Sequence, residues 1–227
     1  QLLFGETVEV IRSPKSSWVE VVTTYDKYRG WMDQKQLVPC HANRENHTCS
    51  LDLSQPIFLD SDSTMITMGA TLPDYDGIGG VIGGKSYRYS GQVNSRLTDP
   101  KDEFVIKLAK KLLNAPYLWG GRTPYGIDCS GFTQLIYKCL GIRLSRDSSM
   151  QALEGVHVDF VNAANVGDLA FFSKETDRIT HVGMLLSDQK IIHASGHVRI
   201  DTVDHYGIYK SDLNEYTHRL KIIKRFW

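Results

Sequence analysis

Cysteine 129 stands where a glycine-rich loop gives way to a helix, and this junction constrains the fold more than any other feature of the chain. Glycines and a proline interrupt residues 117–128, which predicts an irregular loop. Apolar residues then recur at helical spacing until Gly141, a predicted C-cap; they are Phe132, Leu135, Ile136, Cys139 and Leu140. The pattern predicts a buried helix that begins at or near Cys129.

The start of a helix changes the chemistry expected of the Cys129 thiol. Unpaired backbone N–H groups and the positive end of the helix dipole favour a thiolate there, and the thiolate is the form that attacks a carbonyl carbon. A buried structural cysteine is the alternative, because free cysteine is among the most buried residue types. The loop-to-helix placement favours the nucleophile.

Two of the 8 histidines lie in short apolar runs that are typical of neighbouring strands of a hairpin. His181 opens the run His-Val-Gly-Met-Leu-Leu, and His193 lies in Ile-Ile-His-Ala-Ser, while Asp188 and Gln189 are predicted to form the turn. An imidazole inside an apolar strand costs free energy unless a polar group partners it. Pairing of the two histidines with each other and with Cys129 satisfies all three groups; bonding of both to backbone carbonyls is the alternative.

The other six histidines lie in polar or irregular surroundings, where solvated surface histidines are the default expectation. They are His41, His47, His157, His197, His205 and His218. No chemistry is assigned to them.

Four motifs resemble, in this order, those of the NlpC/P60 family of cell-wall peptidases. They are Asp-Cys-Ser-Gly-Phe at 128–132, Gly-Asp-Leu-Ala-Phe-Phe at 167–172, His-Val-Gly-Met at 181–184 and Ile-His-Ala at 192–194. The resemblance implies an α+β, papain-like domain in which Cys129 is the nucleophile, His181 the base and His193 the residue that orients the base. It also implies attack on an amide carbonyl, protonation of the leaving amine by His181, and hydrolysis of the thioester by water.

The carbonyl oxygen of the substrate gains negative charge during this attack and needs hydrogen-bond donors. The backbone N–H of Cys129 is one candidate, by analogy with papain-like sites. Tyr117 matches a tyrosine that lines the site in the family and is the second candidate. Ordinary packing of Tyr117 beside Trp119 is the alternative.

The segment Arg-Asp-Ser at 146–148 resembles that of one subgroup, the γ-D-glutamyl-L-diamino acid endopeptidases of the YkfC-like or dipeptidyl-peptidase VI type. There the Asp and Ser hold the free amino terminus and γ-D-Glu part of an L-Ala-γ-D-Glu-diaminopimelate peptide, which implies this role for Asp147 and Ser148. Asp128 and Ser130, beside the nucleophile, are also assigned to substrate binding. Helix N-capping by Asp147 or Ser148 is an alternative that is compatible with binding.

Short runs of alternating apolar and polar residues upstream of residue 99 predict small β barrels. The order Gly-Glu-x-Val, Trp-x-x-Val and Gly-Trp resembles the second half of a bacterial SH3 (SH3b) domain. Residues 1–40 are therefore interpreted as a partial SH3b domain, whose first half and a signal peptide are expected to precede Gln1 in the natural protein. Residues 41–98 are predicted to form a second SH3b-like domain with a glycine β-turn, and residues 99–227 the peptidase domain.

In the subgroup the first barrel forms part of the active-site wall and restricts the N-terminal residue of the substrate. Trp31, by its place in the Gly-Trp motif, is the candidate for this wall. Packing of Trp31 in the core of the barrel is the alternative.

The charge balance of the chain excludes some partners. Lys and Arg number 26, as do Asp and Glu, so no net field recruits nucleic acid or an anionic membrane. No apolar run approaches the roughly 20 residues of a membrane span, so the chain is expected to be soluble. A monomer is also expected. The partners expected are peptidoglycan-derived peptides.

Cys40 and Cys49 either form a disulfide or stay free. A bridge favours a periplasmic or secreted protein, which is the expected location, and free thiols favour the alternative, the cytoplasm. The spacing of Cys and His residues around these positions does not match a zinc finger, so no metal or cofactor is expected.

The resemblance therefore implies a cysteine endopeptidase that cuts the γ-D-Glu–L-diamino acid bond of murein peptides with a free N-terminal L-Ala. Two other classes stay open: a non-catalytic peptidoglycan-binding SH3b protein, and an amidase or acyltransferase on the same fold. Intact Cys129, His181 and His193 argue against the first class. The Asp147-Ser148 pair and the two barrels favour the peptidase over the second.

Overall fold

The computed structural model describes residues 1–13, 17–40, 48–60, 62–94, 100–174, 177–187 and 189–227. The chain forms two compact units, residues 2–95 and residues 96–227 together with Gln1. The finer division into domains at 1–40, 41–98 and 99–227 stays a prediction. Within the described ranges, every helix is too short or too polar to cross a membrane.

Two antiparallel sheets make up the unit of residues 2–95. The first sheet joins β1 (Val8–Arg12), β2 (Trp18–Thr23) and β3 (Arg29–Asp33) in that order. The second contains β4 (Ser54–Leu59), β5 (Asp62–Thr67), β6 (Gly79–Ile82) and β7 (Lys85–Arg88), in the order β5-β4-β7-β6. A single-turn 3₁₀ helix, Gln34–Gln36, follows β3.

The predicted glycine turn joins β6 to β7. Gly83 and Gly84 have φ values of 56° and 77°, and a two-residue hairpin turn of type I′ requires positive φ at both positions. Residues with a Cβ are strained in that conformation. The predicted β-turn in this glycine-rich stretch is therefore confirmed.

A small core holds the second sheet and the start of the chain together. Its fully buried members are Ile57, Ile66, Ala70, Leu72, Tyr87 and Tyr89. Phe4 packs against this cluster, and its carbonyl accepts a 2.8 Å hydrogen bond from the backbone N–H of Thr71. Trp31 on β3 is 49% exposed, so packing of Trp31 in the barrel core is wrong.

Three helices belong to the unit of residues 96–227: α1 (Asp102–Lys110), α2 (Cys129–Cys139) and α3 (Ser148–Gln151). A short hairpin, β8 (Arg122–Thr123) and β9 (Gly126–Ile127), precedes α2. Every residue of α2 is buried, because other elements cover it on all sides. Gly141 ends it with a φ of 81°, so the predicted C-cap and the predicted helix start at Cys129 are confirmed.

Seven strands complete this unit: β10 (Val156–Val158), β11 (Leu169–Ser173), β12 (His181–Ser187), β13 (Lys190–Ser195), β14 (His197–Val203), β15 (Gly207–Lys210) and β16 (Glu215–Arg225). A 3₁₀ turn, Val161–Ala163, lies between β10 and β11. The strand order is β10-β16-β11-β12-β13-β14-β15, and β15 also pairs with β16. This second pairing closes β11 to β16 into a six-stranded barrel, filled by Ala170, Phe172, Leu185, Ile191, Val203, Ile208 and Ile223.

The predicted hairpin of the two histidine strands is confirmed, since β12 and β13 pair antiparallel. The turn residue Asp188 lies outside the described residues. Helix α2 packs against β12 and β13, which brings the start of the helix and the histidine strands into one region.

Cys40 is exposed and Cys49 is buried, and both are free thiols. Of the two alternatives for Cys40 and Cys49, the structure contains free thiols and not a disulfide. The expected periplasmic or secreted location, with the cytoplasm as its alternative, stays a prediction.

Candidate active site

Asp128 fixes the position of the nucleophile as the N-cap of α2. Its Oδ1 accepts a 2.7 Å hydrogen bond from the backbone N–H of Gly131, and its Oδ2 accepts one of 2.7 Å from that of Gly120. One carboxylate thus ties the preceding loop to the first turn of the helix. Cys129, the first helical residue, is held between these anchors and is 7% exposed.

Arg146 neutralises the Asp128 carboxylate through a bidentate pair. Its Nη1 lies 3.0 Å from Oδ1 and its Nη2 lies 2.5 Å from Oδ2, the fork geometry that suits guanidinium and carboxylate. Nη1 also donates to Ser130 Oγ at 2.9 Å. Asp128 and Ser130 are therefore bonded to protein groups, and their substrate-binding role stays a prediction.

Gly131 is required by a close backbone approach. A Cβ at this position would lie 2.2 Å from the carbonyl oxygen of Gly121 and 3.0 Å from Oδ1 of Asp128. A backbone atom cannot move away as a flexible side chain can. The Cys-Ser-Gly sequence is therefore a packing requirement of the loop as well as a motif.

Burial decides the ionisation of the Cys129 thiol. Loss of solvent, and then the negative charge of Asp128, raise its pKa to about 11, although the backbone N–H groups of Val182 and Ser130 donate to the sulfur and lower it. The resting thiol is neutral. The expected thiolate, favoured by unpaired backbone N–H groups and the helix dipole, is not the resting form, because burial and the neighbouring carboxylate outweigh the backbone N–H groups.

The effect of the Val182 backbone N–H on the Cys129 pKa indicates that the sulfur lies near the start of β12, the strand whose first residue is His181. The Nε2 of His181 lies 2.8 Å from the Nδ1 of His193, so the two histidines pair with each other and not with backbone carbonyls. Burial holds the pKa of His181 well below its usual value and also lowers that of His193. Both rings are therefore neutral at rest.

Asp201 is a third member of this arrangement that the sequence did not single out. Its Oδ2 lies 2.9 Å from the Nε2 of His193, and its Oδ1 accepts a 2.8 Å hydrogen bond from the Nη2 of Arg199. The same Nη2 lies 3.4 Å from Oδ1 of Asp212, which is largely exposed. The histidine pair thus ends in a buried carboxylate.

His218 lies beside the same pair, contrary to the expected surface position. It is 8% exposed, its ring lies 4.2 Å from that of His181 at an interplanar angle of 30°, and its Nδ1 lies 2.9 Å from Oγ1 of Thr217. Burial lowers its pKa to about 4. The polar neighbours in the sequence misled the prediction, because His218 pairs in β16 with the buried Ile208 and so faces the inside of the barrel.

The remaining histidines divide into two groups. Those at 157, 197 and 205 are exposed, as predicted. His41 and His47 lie outside the described residues.

Tyr117 and the Cys129 backbone are both able to donate to a developing oxyanion. Burial, and then the charge of Cys129 when it ionises at alkaline pH and the charge of Asp128, raise the pKa of Tyr117 to about 12, so its phenol keeps its proton. Its backbone N–H donates to the carbonyl of Gly196 at 3.0 Å. Within the described part of the chain, no hydrogen bond engages the backbone N–H of Cys129.

Asp147 precedes α3, and its side chain makes no capping hydrogen bond. Its backbone carbonyl instead accepts from Met150 and Gln151 at 2.9 Å each, so side-chain capping by Asp147 is wrong. Asp147 is exposed and Ser148 is half-buried. The negative charge of Asp147 contributes to the raised pKa of Arg146, so it lies near the Asp128 anchor.

Two further predictions concern the role of Trp31 and the binding of metal. Trp31 belongs to the other compact unit, and its role in an active-site wall stays a prediction. Among the residues that the structure describes, no three His, Cys, Asp or Glu side chains are grouped to hold a metal ion.

Two family models match the chain. The model of the NlpC/P60 family matches residues 114–217, and that of the bacterial dipeptidyl-peptidase SH3 domain matches residues 1–37. The first match contains the Cys129 helix start, the histidine pair and Asp201. The second covers the first sheet.

Two curated relatives match most of the chain, and both are gamma-D-glutamyl-L-lysine dipeptidyl-peptidases. That of Bacillus subtilis (strain 168) is 29% identical over 214 residues, covering 86% of this chain and 71% of the relative. That of Bacillus cereus (strain ATCC 10987 / NRS 248) is 30% identical over 226 residues, covering 86% of this chain and 66% of the relative.

The fold agrees with these matches. The crystal structure of an NlpC/P60 family protein from Bacillus cereus ATCC 10987 superimposes with a TM-score of 0.78 at 26% identity, covering 99% of this chain and 81% of that one. This chain has Cys129 at a helix start, the two histidine strands in a barrel and an N-terminal SH3 segment. Its fold matches that of the crystal structure. The chain therefore belongs to the NlpC/P60 family of cysteine peptidases.

Proposed function

We propose that this protein hydrolyses the γ-D-glutamyl–L-diamino acid bond of peptidoglycan-derived peptides that carry a free N-terminal L-alanine. Relatives named gamma-D-glutamyl-L-lysine dipeptidyl-peptidase support the bond and the position of cleavage. The diamino acid on the leaving side is lysine or diaminopimelate. Cys129 is the proposed nucleophile, and His181 the proposed base.

The observation that carries this proposal is the position of the Cys129 sulfur. The backbone N–H of Val182 is close enough to lower the pKa of the Cys129 thiol, and His181 is the preceding residue in the same strand. A buried neutral thiol next to a strand that begins with a buried neutral imidazole has no use as a surface-binding feature. It is an arrangement in which an approaching carbonyl triggers proton transfer from sulfur to nitrogen.

The proposed reaction has two stages. The thiol proton passes to His181, the sulfur bonds to the γ-carbonyl carbon of D-Glu, and the C–N bond breaks as His181 gives the proton to the leaving amine. Water then attacks the thioester and gives a proton to His181. The C–S bond breaks, and His181 returns the proton to the departing sulfur, which restores the neutral thiol and imidazole. Tyr117 and the Cys129 backbone N–H are the proposed donors to the oxyanion in both stages.

Asp147 is the proposed partner of the substrate ammonium group. Its carboxylate is exposed and makes no hydrogen bond or ion pair within the described residues. A charge-assisted hydrogen bond to a free amine uses this carboxylate, while an acetylated amine leaves it unpaired. Ser148, the next residue, is the second proposed contact to the substrate.

Three substrates test the specificity. L-Ala-γ-D-Glu-diaminopimelate, its N-acetylated form and the disaccharide carrying the full stem peptide are offered separately, and release of the diamino-acid amine is measured. We expect kcat/KM for the free tripeptide to exceed that for the other two by at least about 10-fold, the value of one charge-assisted hydrogen bond. Equal rates on all three would contradict the specificity.

Two variants separate the mechanism from the specificity. Cys129→Ala removes the nucleophile, and hydrolysis of the free tripeptide should fall to background. Asp147→Asn should raise KM for the free tripeptide by on the order of 10-fold to 100-fold and leave the acetylated peptide unaffected. Asp159→Asn, at another exposed carboxylate, is the matched control and should behave as wild type.

A further inference from the structure

Asp201 lies on the same side of the barrel wall as the histidine pair. In the β13–β14 ladder, Ile191 pairs with Asp201 and His193 pairs with Arg199. Residues directly opposite one another in a sheet share a face, and diagonal neighbours are within reach of long side chains. This register brings the Asp201 carboxylate to the Nε2 of His193.

The hydrogen bonds then decide where the protons are. Both oxygens of Asp201 are engaged, Oδ2 with the Nε2 of His193 and Oδ1 with Arg199, so the carboxylate is an acceptor. The neutral His193 ring therefore carries its proton on Nε2, and its Nδ1 accepts from the Nε2–H of His181. The Nδ1 of His181 is then the ring nitrogen of the pair that carries no proton and is not used in the hydrogen bonds to His193 or Asp201.

We propose that Asp201 is a positioning residue, which fixes the tautomers of His193 and His181 so that Nδ1 of His181 is the base for Cys129. The inference rests on the proposed function for its meaning in catalysis, but the tautomers themselves are measurable without any substrate. Asp201 touches neither substrate nor thiol. It acts through His193.

The electrostatics agree with this arrangement. Burial raises the pKa of Asp201, but hydrogen bonds from His193 and Arg199 outweigh burial and bring it to about 2. The hydrogen bond and charge of Asp201 in turn raise the pKa of His193 against the effect of burial. The carboxylate therefore also eases the protonation of the pair when His181 takes the thiol proton.

Other charged or titratable groups also act on the pair. Arg199 and Lys210 lower the pKa of His193, and His218 and Lys174, with Lys210, lower that of His181. Asp212 contacts Arg199 from the exposed side. Among these groups Asp201 makes the hydrogen bond to His193, so its loss is expected to change the proton positions.

The variant Asp201→Asn keeps the size of the side chain but removes the charge. An amide offers either its oxygen or its NH₂ group to His193 Nε2, and the NH₂ group forces the proton of His193 onto Nδ1. His181 must then accept at Nε2 and hold its own proton on Nδ1, where it no longer serves as a base. We expect kcat to fall by on the order of 10-fold to 100-fold, the effect of removing a carboxylate partner of a functional histidine, with KM unchanged.

The test combines ¹⁵N NMR of the imidazole nitrogens with pH profiles for hydrolysis of the free tripeptide. Wild type should show His193 protonated at Nε2 only, and Asp201→Asn should show a fraction protonated at Nδ1. Loss of the carboxylate charge should also move the acid limb of kcat/KM to lower pH, because the pKa of the pair falls. A purely structural role would move neither the tautomer nor this limb.

Asp212→Asn is the matched control, since it removes the exposed carboxylate on the other side of Arg199 and should leave the profile within twofold of wild type. Protonation of His193 at Nδ1 in wild type would overturn the proposal, even if the variant failed to fold. So would an Asp201→Asn enzyme with the kcat and pH profile of wild type. The predicted tautomer in a protein that does not cut the tripeptide would refute the proposed function alone.

Discussion

The nucleophile side and the histidine side of the candidate site are built in different ways. Around Cys129, the Asp128 carboxylate accepts hydrogen bonds from backbone N–H groups of a loop and a helix turn that are close in sequence. Arg146 forms an ion pair with the same carboxylate. Around His181, the partners are side chains from separate barrel strands, joined nitrogen to nitrogen and nitrogen to oxygen. The first side depends on local backbone geometry, and the second depends on strand register.

Solvent access also differs between the two sides. The Arg146–Asp128 pair is buried at both ends, with side-chain exposures of 9% and 7%. The Arg199–Asp201 pair has its arginine at 20% exposure, and Arg199 reaches the exposed Asp212. The nucleophile side should therefore tolerate loss of its arginine much less well.

Removal of each arginine gives the largest expected difference. Arg146→Met leaves a buried Asp128 charge without its partner and should lower the free energy of unfolding by about 3–5 kcal/mol. Arg199→Met leaves Asp201 bonded to His193 and should cost about 1–2 kcal/mol. Urea unfolding of both variants measures the two costs, and equal losses would contradict the difference in burial.

Addition of one methyl group on each side gives the next largest effect. Gly131→Ala forces a Cβ against the backbone oxygen of Gly121 at 2.2 Å, and should cost about 3 kcal/mol and most of the activity. Gly183→Ala places a Cβ 2.7 Å from Cδ1 of Ile191 and 2.9 Å from Cβ of His193. The end of the Ile191 side chain yields more readily than a backbone oxygen, while the Cβ of His193 moves only with its strand, so we expect a cost of about 2 kcal/mol.

The two alanine variants also differ in what they disturb. Gly183→Ala should displace His193 and change its imidazole ¹⁵N shifts, while the loop around Cys129 keeps its structure. Thermal unfolding and kcat, measured on both variants, distinguish Gly131→Ala from Gly183→Ala. A milder effect at Gly131 than at Gly183 would reverse the comparison.

The dependence of stability on pH gives a smaller effect, of opposite sign on the two sides. The folded-state pKa values of His181, His193 and His218 lie below their unfolded values, so the unfolded chain takes up protons first as pH falls. Their contribution is complete above about pH 6.5 and is lost toward acid, at up to about 1.4 kcal/mol per pH unit for each histidine. His218→Gln should therefore reduce this acid slope.

Cys129 has the opposite behaviour because its pKa is raised in the folded protein. The unfolded thiol loses its proton first, so the contribution is complete below about pH 8.5 and is lost as pH rises toward 11. Cys129→Ala should remove this alkaline loss, while other groups that titrate there remain as background. Urea unfolding from pH 5 to pH 10 measures both slopes. If the difference in the free energy of unfolding between wild type and Cys129→Ala did not change with pH, the neutral buried thiol would be contradicted.

The same contrast explains how much of the site the sequence could predict. The loop, the helix start and its glycine cap are local in sequence, so periodicity and turn residues predicted the place of Cys129. His181 and His193 were found because each interrupts an apolar run. Asp201 and His218 were missed because their importance depends on which strands pair and on which face each residue lies.

A weak signal for Asp201 was nevertheless present. In β14, Val198, Ile200 and Thr202 alternate with Arg199, Asp201 and Val203, so Asp201 is in phase with the buried Val203. A carboxylate on the inner face of a barrel strand requires a buried partner. Without the register of β13 and β14, the sequence could not identify that partner as His193.

The proposed thioester is tested most directly by mass spectrometry of the acid-quenched protein after brief incubation with L-Ala-γ-D-Glu-diaminopimelate. We predict a mass gain equal to one L-Ala-γ-D-Glu acyl group, located on the peptide that contains Cys129, with diaminopimelate released in equal amount. Cys129→Ala should show neither product. Release of diaminopimelate by Cys129→Ala at the wild-type rate, with no adduct in wild type, would contradict the mechanism.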